Sequence, residues 1–158
     1  MALSGLQILN RLAATLTSSN PDGTSYSATP QFNISDLPSD ASIVFHNKYT
    51  IAGGANQSLD LYGTLVDGFG NTVNFAKIYA IAVSNRNTNT GNNIEVGNSN
   101  FSAWLGTATD KVKVGPKGSL VLSSPVDGYT VTNTTGDTFK INNPGASAID
   151  VVVFLLGK

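Results

Sequence analysis

Hydrophobic and polar residues alternate with a period of two along most of the chain from residue 41 onwards. Such alternation places apolar side chains on one face of a β-strand and polar side chains on the other. Turn-forming residues separate the alternating runs. The pattern predicts eight or nine strands, at residues 42–51, 59–66, 72–83, 94–96, 111–114, 119–122, 129–134, 138–142 and 149–156. Short strands at this spacing predict an all-β fold, an antiparallel β-sandwich or jelly-roll-like domain over residues 41–158.

The last predicted strand, residues 149–156, differs from the others because nearly every position in it is apolar. A strand of this composition is expected where both faces of a sheet are covered. We therefore expect it to lie in the middle of a sheet.

The first 40 residues follow a different pattern, in which leucines recur at spacings of three and four. This spacing places them on one face of a helix. It predicts an amphipathic helix at about residues 3–17, followed by an extended linker to residue 40. We interpret residues 1–40 as an N-terminal arm whose apolar face must be covered, either by the sandwich itself or by another subunit, and we favour the subunit. The leucines of that face are Leu3, Leu6, Leu9, Leu12 and Leu16.

Composition narrows the range of partners. Charged residues make up 12% of the chain and the formal net charge is −1, so the protein has little field with which to attract nucleic acid or an anionic membrane surface. The longest apolar run, residues 151–156, is far shorter than a bilayer span, which takes about 20 residues. The N-terminus lacks the pattern of a signal peptide, so we expect synthesis in a cytoplasm.

The sequence predicts no enzyme, no metal site and no cofactor. It contains no cysteine and one histidine, His46, within an alternating strand. The single glutamate, Glu95, follows an Asn-rich stretch. The segment Asp67-Gly-Phe-Gly-Asn71 has too few acidic oxygens for a calcium loop, so we interpret it as a turn.

Two aromatic residues and one loop are candidate contact sites. Phe69 lies at the tip of the predicted turn, and Trp104 either offers a stacking surface or fills the core. Residues 85–93 are rich in asparagine and contain no apolar side chain, so we expect an exposed loop that can be replaced without loss of stability.

Several segments between residues 51 and 158 resemble, in order and spacing, the small virion proteins of tailed bacteriophages. They are LDLYGTLVDGFGNTVNFAKI, GPKGSLVLSSP, GYTVTN followed by GDTFKI, and the closing run IDVVVFLLGK. The resemblance implies a capsid decoration (cement) protein, β-rich and without catalytic residues, that stabilises the phage head through contacts between subunits. It also implies a homo-oligomer, a trimer in preference to a dimer, in contact with capsid or other virion proteins.

Two alternatives remain open. A tail, baseplate or receptor-contacting protein of the same particle would use the loop at residues 85–93. A carbohydrate-binding β-sandwich would use Trp104 as a platform for a sugar ring.

Overall fold

The computed structural model describes residues 16–19, 25–28, 38, 40–67 and 70–158. The chain divides into two compact units, Ser4–Leu37 and a larger one that contains Pro38–Lys158. In the smaller unit, strand β1 (Leu16–Ser19) pairs antiparallel with β2 (Ser25–Ala28).

The predicted helix, at about residues 3–17, overlaps this hairpin at its last two residues. Leu16 and Thr17 belong to a strand and not to the end of a helix, and the predicted extended linker contains β2. Residues 17–19 are Thr-Ser-Ser, which are weak helix formers because of β-branching and competing hydroxyl groups. Residues 20–23 are Asn-Pro-Asp-Gly, a sequence typical of turns. The remaining leucines of the predicted helix lie outside the described residues: Leu3, Leu6, Leu9 and Leu12.

The larger unit is built of antiparallel strands. In chain order they are β3 (Ile43–Ile51), β4 (Asn56–Asp60), β5 (Tyr62–Val66), β6 (Thr72–Asn74), β7 (Lys77–Asn85), β8 (Ile94–Gly97), β9 (Lys111–Val114), β10 (Ser119–Ser123), β11 (Tyr129–Thr130), β12 (Thr138–Asn142) and β13 (Ile149–Gly157). Sheet I has the order β10-β7-β13-β3, with β11 also paired to β7. Sheet II has the order β4-β12-β8-β9, and β5 pairs with β6 as a separate hairpin. No helix among the described residues is long and apolar enough to cross a bilayer.

The sheets pack as an antiparallel β-sandwich, which confirms the all-β sandwich part of the predicted fold. Alternate residues of β13 are fully buried, and Phe139 and Ile141 of sheet II belong to the same core cluster. Burial stabilises each such side chain by about 1.5–3 kcal/mol relative to exposure. The buried positions of β13 in this series are Ile149, Val151, Val153 and Leu155.

Strand β13 lies in the middle of sheet I, as the sequence predicted. It pairs with β3 along Ile149–Gly157 and with β7 from residue 151 to residue 157. The ladder hydrogen bonds therefore run along both sides of the most apolar segment of the chain.

The predicted strands at residues 59–66 and 72–83 are each divided in two by a change of sheet. At the first division Leu61 is buried; its N–H donates to Asp137 O at 2.7 Å and its carbonyl accepts Phe75 N–H at 2.9 Å. At the second division the Ala76 N–H donates to Lys158 O at 2.6 Å. Alternation of apolar residues continues through the first division, from Leu59 through Leu61 to Leu65, so the sequence pattern does not reveal it. At the second division the alternation changes phase between Phe75 and Ile78.

Gly157 lies where the register between β13 and β7 shifts. A Cβ atom at this position would lie 2.0 Å from Lys77 O and 2.7 Å from Phe75 Cδ1. Contacts this short leave no room for any side chain, because one of the two neighbours is backbone.

We expect Gly157→Ala to lower the free energy of unfolding by about 1–3 kcal/mol, the usual cost of forcing extra atoms into a packed interior. The matched control is Gly136→Ala, because a Cβ there would lie 3.5 Å from its nearest neighbour, an ordinary contact. Urea unfolding measures both. Equal midpoints for the two variants would contradict the packing assigned to Gly157.

Candidate functional site at the loop end of the sandwich

The connections at residues 86–93, 115–118 and 143–148 form what we call the loop end. Three depressions lie there, with volumes of about 360, 320 and 580 Å³. Thr88 borders all three, Arg86 borders the first two, and Lys117 borders the second and third. The loop end therefore offers a polar surface with concave regions.

Asn85 anchors this region at the last residue of β7. Its side chain is fully buried, and its Nδ2 donates to Asn92 O at 2.8 Å and to Val114 O at 3.2 Å. Its Oδ1 accepts the N–H of Asn87 at 3.0 Å. One amide group thus bonds to backbone groups of the Asn-rich loop and of β9.

The Asn-rich loop is also held by bonds within it and by a neighbouring turn. Asn87 Oδ1 accepts the N–H of Asn89 at 2.7 Å, and Asn93 Nδ2 donates to Gly91 O at 2.8 Å. The Lys117 N–H donates to Asn87 O at 3.0 Å. These side-chain bonds close short turns, which asparagine favours because its amide mimics a peptide group.

Asn143 is a second anchor of this kind, in the adjacent connection between β12 and β13. Its side chain is fully buried, and its Nδ2 donates to Ile51 O at 2.9 Å, Ala52 O at 3.1 Å and Ser147 O at 2.8 Å. Its Oδ1 accepts the N–H of Gly145 at 3.0 Å. The connection after β3 is therefore tied to the one before β13.

The expectation that residues 85–93 form an exposed loop is wrong at Asn85, which is buried. The loop contains no apolar side chain, yet its first residue is part of the polar framework of the domain. Asn85 follows the apolar run IYAIAVS, and Asn143 precedes Pro-Gly. An asparagine at the end of a buried strand is the sequence signal for such an anchor.

Two charged residues, Arg86 and Asp150, border the first depression. Lys48 Nζ lies 2.6 Å from Asp150 Oδ2, and Thr50 Oγ1 donates to Asp150 Oδ1 at 2.6 Å. These hydrogen bonds lower the pKa of Asp150, first through Lys48 and then through Thr50. Arg86 borders the same depression and is exposed. Amides, hydroxyls and charges of both signs equip this surface for hydrogen bonding to a polar ligand.

The other polar residues considered as site candidates, His46 and Glu95, have neighbours that belong to the adjacent β-strands. His46 is exposed on β3, opposite Phe154 of β13. Glu95 Oε2 lies 2.8 Å from Lys111 Nζ and accepts Asn142 Nδ2 at 3.3 Å. The hydrogen bond from Lys111 is the main cause of a lowered pKa at Glu95. Within the described ranges, no group of three or more His, Cys, Asp or Glu residues is placed to hold a metal ion.

The segment from Asp67 to Asn71 closes the hairpin between β5 and β6. The Asp67 N–H donates to Asn71 O and the Asn71 N–H donates to Asp67 Oδ1, each at 2.9 Å. Gly70 has a φ of +85°, a conformation that glycine adopts without strain. These contacts agree with a turn, and Phe69 at its tip lies outside the described residues.

Trp104 is half-buried in the connection between β8 and β9. Its ring lies 5.9 Å from that of Phe139, and its Nε1 donates to Phe101 O at 3.1 Å. Phe101 is buried and makes an edge contact with Phe139, with 6.4 Å between the ring centroids. Trp104 thus fixes this connection against the core, and the structure does not bring it to the loop end.

The sequence matches none of the protein families and none of the curated proteins with which it was compared. One solved structure that is similar in shape comes from Bacillus endospore appendages, described as a novel family of disulfide-linked pili. It is 18% identical to this chain, and the alignment covers 80% of this chain and 98% of that chain with a TM-score of 0.38. A TM-score this low supports no inference about fold or function.

We expect Asn85→Ala to lower the free energy of unfolding by about 1–3 kcal/mol, because buried carbonyl groups would lose their donor. The matched control is Asn89→Ala, an exposed residue of the same loop, for which we expect a change within about 0.5 kcal/mol. Thermal unfolding followed by circular dichroism measures both. Equal stability of the two variants would show that Asn85 is not an anchor.

Proposed function

We propose that this chain is a non-enzymatic structural protein of a bacteriophage particle, a decoration protein that lies on the capsid and stabilises the head. The observation that carries the proposal is the position of the segments that resemble phage virion proteins. These segments build the sandwich and are not confined to its surface loops.

The first segment, LDLYGTLVDGFGNTVNFAKI, runs from β4 through the hairpin into β7. Its apolar residues Leu59, Leu61, Phe75 and Ile78 are buried in the core. The other segments contribute β10, β11, β12 and β13. The resemblance therefore involves the framework that determines the shape of the domain.

The use of acidic side chains supports a scaffold role. The carboxylates of Asp60, Asp67, Asp110 and Asp137 accept backbone N–H groups within turns. Each bond fixes a local turn, and the four carboxylates serve four separate connections. Stable connections of this kind suit a protein that acts by presenting a stable surface.

A tail or receptor-contacting role in the same particle is the second candidate, favoured by the loop end. Its exposed Thr88, Asn89 and Thr90 border concave regions that suit polar ligands. Carbohydrate stacking on Trp104 has less support, because its ring packs on Phe139 and its N–H is already bonded.

Phage particles from the host that carries this gene provide the test. We expect the protein to sediment with particles and an antibody against it to label the heads in electron micrographs. Attachment should persist in about 1 M salt, where the Debye length is roughly 3 Å, because a net charge of −1 contributes little electrostatic binding. Label on tails would support the second candidate. Absence from purified particles would overturn both.

We further propose that residues 3–15 form an amphipathic helix that fastens the protein to its partner. The proposal rests on the leucine spacing, and each fully buried leucine would contribute about 1.5–3 kcal/mol before the cost of ordering the segment. The four leucines in this range are Leu3, Leu6, Leu9 and Leu12.

A chain without residues 1–15 tests the arm and retains the hairpin of β1 and β2. We expect its β-sheet circular dichroism and cooperative melting to persist, because the sandwich has its own core. Occupancy on the particle should fall. Aggregation or loss of cooperative melting would instead assign the leucines to the core of the domain.

A further inference from the structure

Each large sheet ends in two edge strands, whose outward backbone groups can pair with another chain. The edges of sheet I are β3 and β10, and those of sheet II are β4 and β9. Proteins that avoid unwanted strand addition place charged side chains on such edges, lysine above all. The four edges can therefore be compared by charge.

Three of the four edges carry charged residues. β3 contains Lys48, β4 ends at Asp60, and β9 contains Lys111 and Lys113. The outward N–H of Lys48 is also capped, because it donates to Asn47 Oδ1 at 2.8 Å. β10 has the sequence Ser-Leu-Val-Leu-Ser and contains no charge.

The backbone hydrogen bonds between β10 and β7 show which backbone groups of β10 point away from the sheet. The Asn85 N–H donates to Gly118 O at 3.0 Å, and the Ser124 N–H donates to Tyr79 O at 2.8 Å. Backbone groups of even-numbered residues in β10 therefore face β7, because bonding direction alternates along a strand. The outward groups belong to Ser119, Val121 and Ser123 and form no backbone hydrogen bond with any described residue.

Apolar side chains lie next to the outward backbone groups of β10. Val121, at the centre of the strand, is 38% exposed. Val126, three residues beyond the strand, is 87% exposed, the largest value among the exposed large apolar residues of the described chain. Leu120 and Leu122 are half-buried beside the core. A strand added here would cover the remaining apolar surface of β10 and supply partners for its backbone.

The sequence of β10 reads the same in both directions. We propose that β10 pairs antiparallel with β10 of a second copy, across a two-fold axis at Val121, so that the two copies of sheet I become one continuous sheet. Val121 then lies opposite Val121, Leu120 opposite Leu122, and Ser119 opposite Ser123. Val121 is an outward-bonding residue, so the two copies exchange a pair of N–H to carbonyl bonds on the axis.

Flanking charges favour this orientation. Lys117 precedes β10 and Asp127 follows it, and both side chains are exposed. In an antiparallel pair, Lys117 of one copy lies at the same end as Asp127 of the other. A parallel pair would bring the two Lys117 side chains together, which is unfavourable. The contact is isologous and closes at two copies, so it differs from the expected trimer.

The proposal does not depend on the phage assignment and is tested on the full chain by sedimentation velocity over a concentration series. We expect a dimer for the unaltered protein. Val121→Lys would place two ammonium groups across the axis and weaken dimerisation by about tenfold or more, because like charges opposite each other on paired strands are destabilising. The matched control is Val66→Lys, a 52% exposed residue of β5, which should leave dimerisation unchanged.

A cross-link keeps the test decisive even if Val121→Lys fails to fold. The chain contains no cysteine, so Val121→Cys introduces a single thiol. Hydrogen-bonded antiparallel pairs hold their Cα atoms about 5.5 Å apart, within the range of about 4.4–6.8 Å that disulfides span. We expect mild oxidation to yield a disulfide dimer from Val121→Cys and little from Val66→Cys.

Three results would overturn the proposal. They are an unaltered protein that stays monomeric at every concentration, a trimer whose mass survives Val121→Lys, and a Val66→Cys variant that cross-links as readily as Val121→Cys.

Discussion

The pairing of β13 on both sides is the constraint on which the rest of the fold depends. An apolar strand can be buried only if its N–H and carbonyl groups find partners, because a buried group without one costs about 1–3 kcal/mol. β3 and β7 supply those partners along its length. Sheet II then covers the inner face of β13 through residues such as Phe139 and Ile141.

When the backbone groups of β13 are paired on both sides, β3 and β10 become the edge strands of sheet I. The two edge strands differ in charge and in the capping of their outward backbone groups. β3 carries Lys48, whose side chain pairs with Asp150 and whose N–H is capped by Asn47. β10 has neither a charge nor a cap, although its flanks carry Lys117 and Asp127. This difference leaves β10 as the edge of sheet I that is open to strand addition.

Much of the fold can be predicted from alternation alone. The predicted bounds of β9 and β12 agree with the structure, and those of β3, β8, β10 and β13 differ by one residue at one end. Sheet order could not be predicted, because β3 and β13 are far apart in sequence. The place of Asn85 at the end of a buried strand is a sequence signal for an anchor, but its partners could not be predicted, because the fold brings Asn92 O and Val114 O to its side chain. Leu16, the last leucine of the predicted helix, instead pairs with Ala28 in the hairpin of β1 and β2.

The two proposed contacts have different symmetries and therefore different consequences for assembly. Edge pairing through β10 is isologous, so it is complete at two copies, and the charges on β3, β4 and β9 oppose its extension into a fibre. A contact between the apolar arm and another protein would be heterologous, and it would leave the edges of the sheets unpaired. A dimer joined through β10 would carry two arms, and two linked attachments hold a surface more tightly than either alone. Strand pairing and arm binding would then act together to keep the protein on a particle.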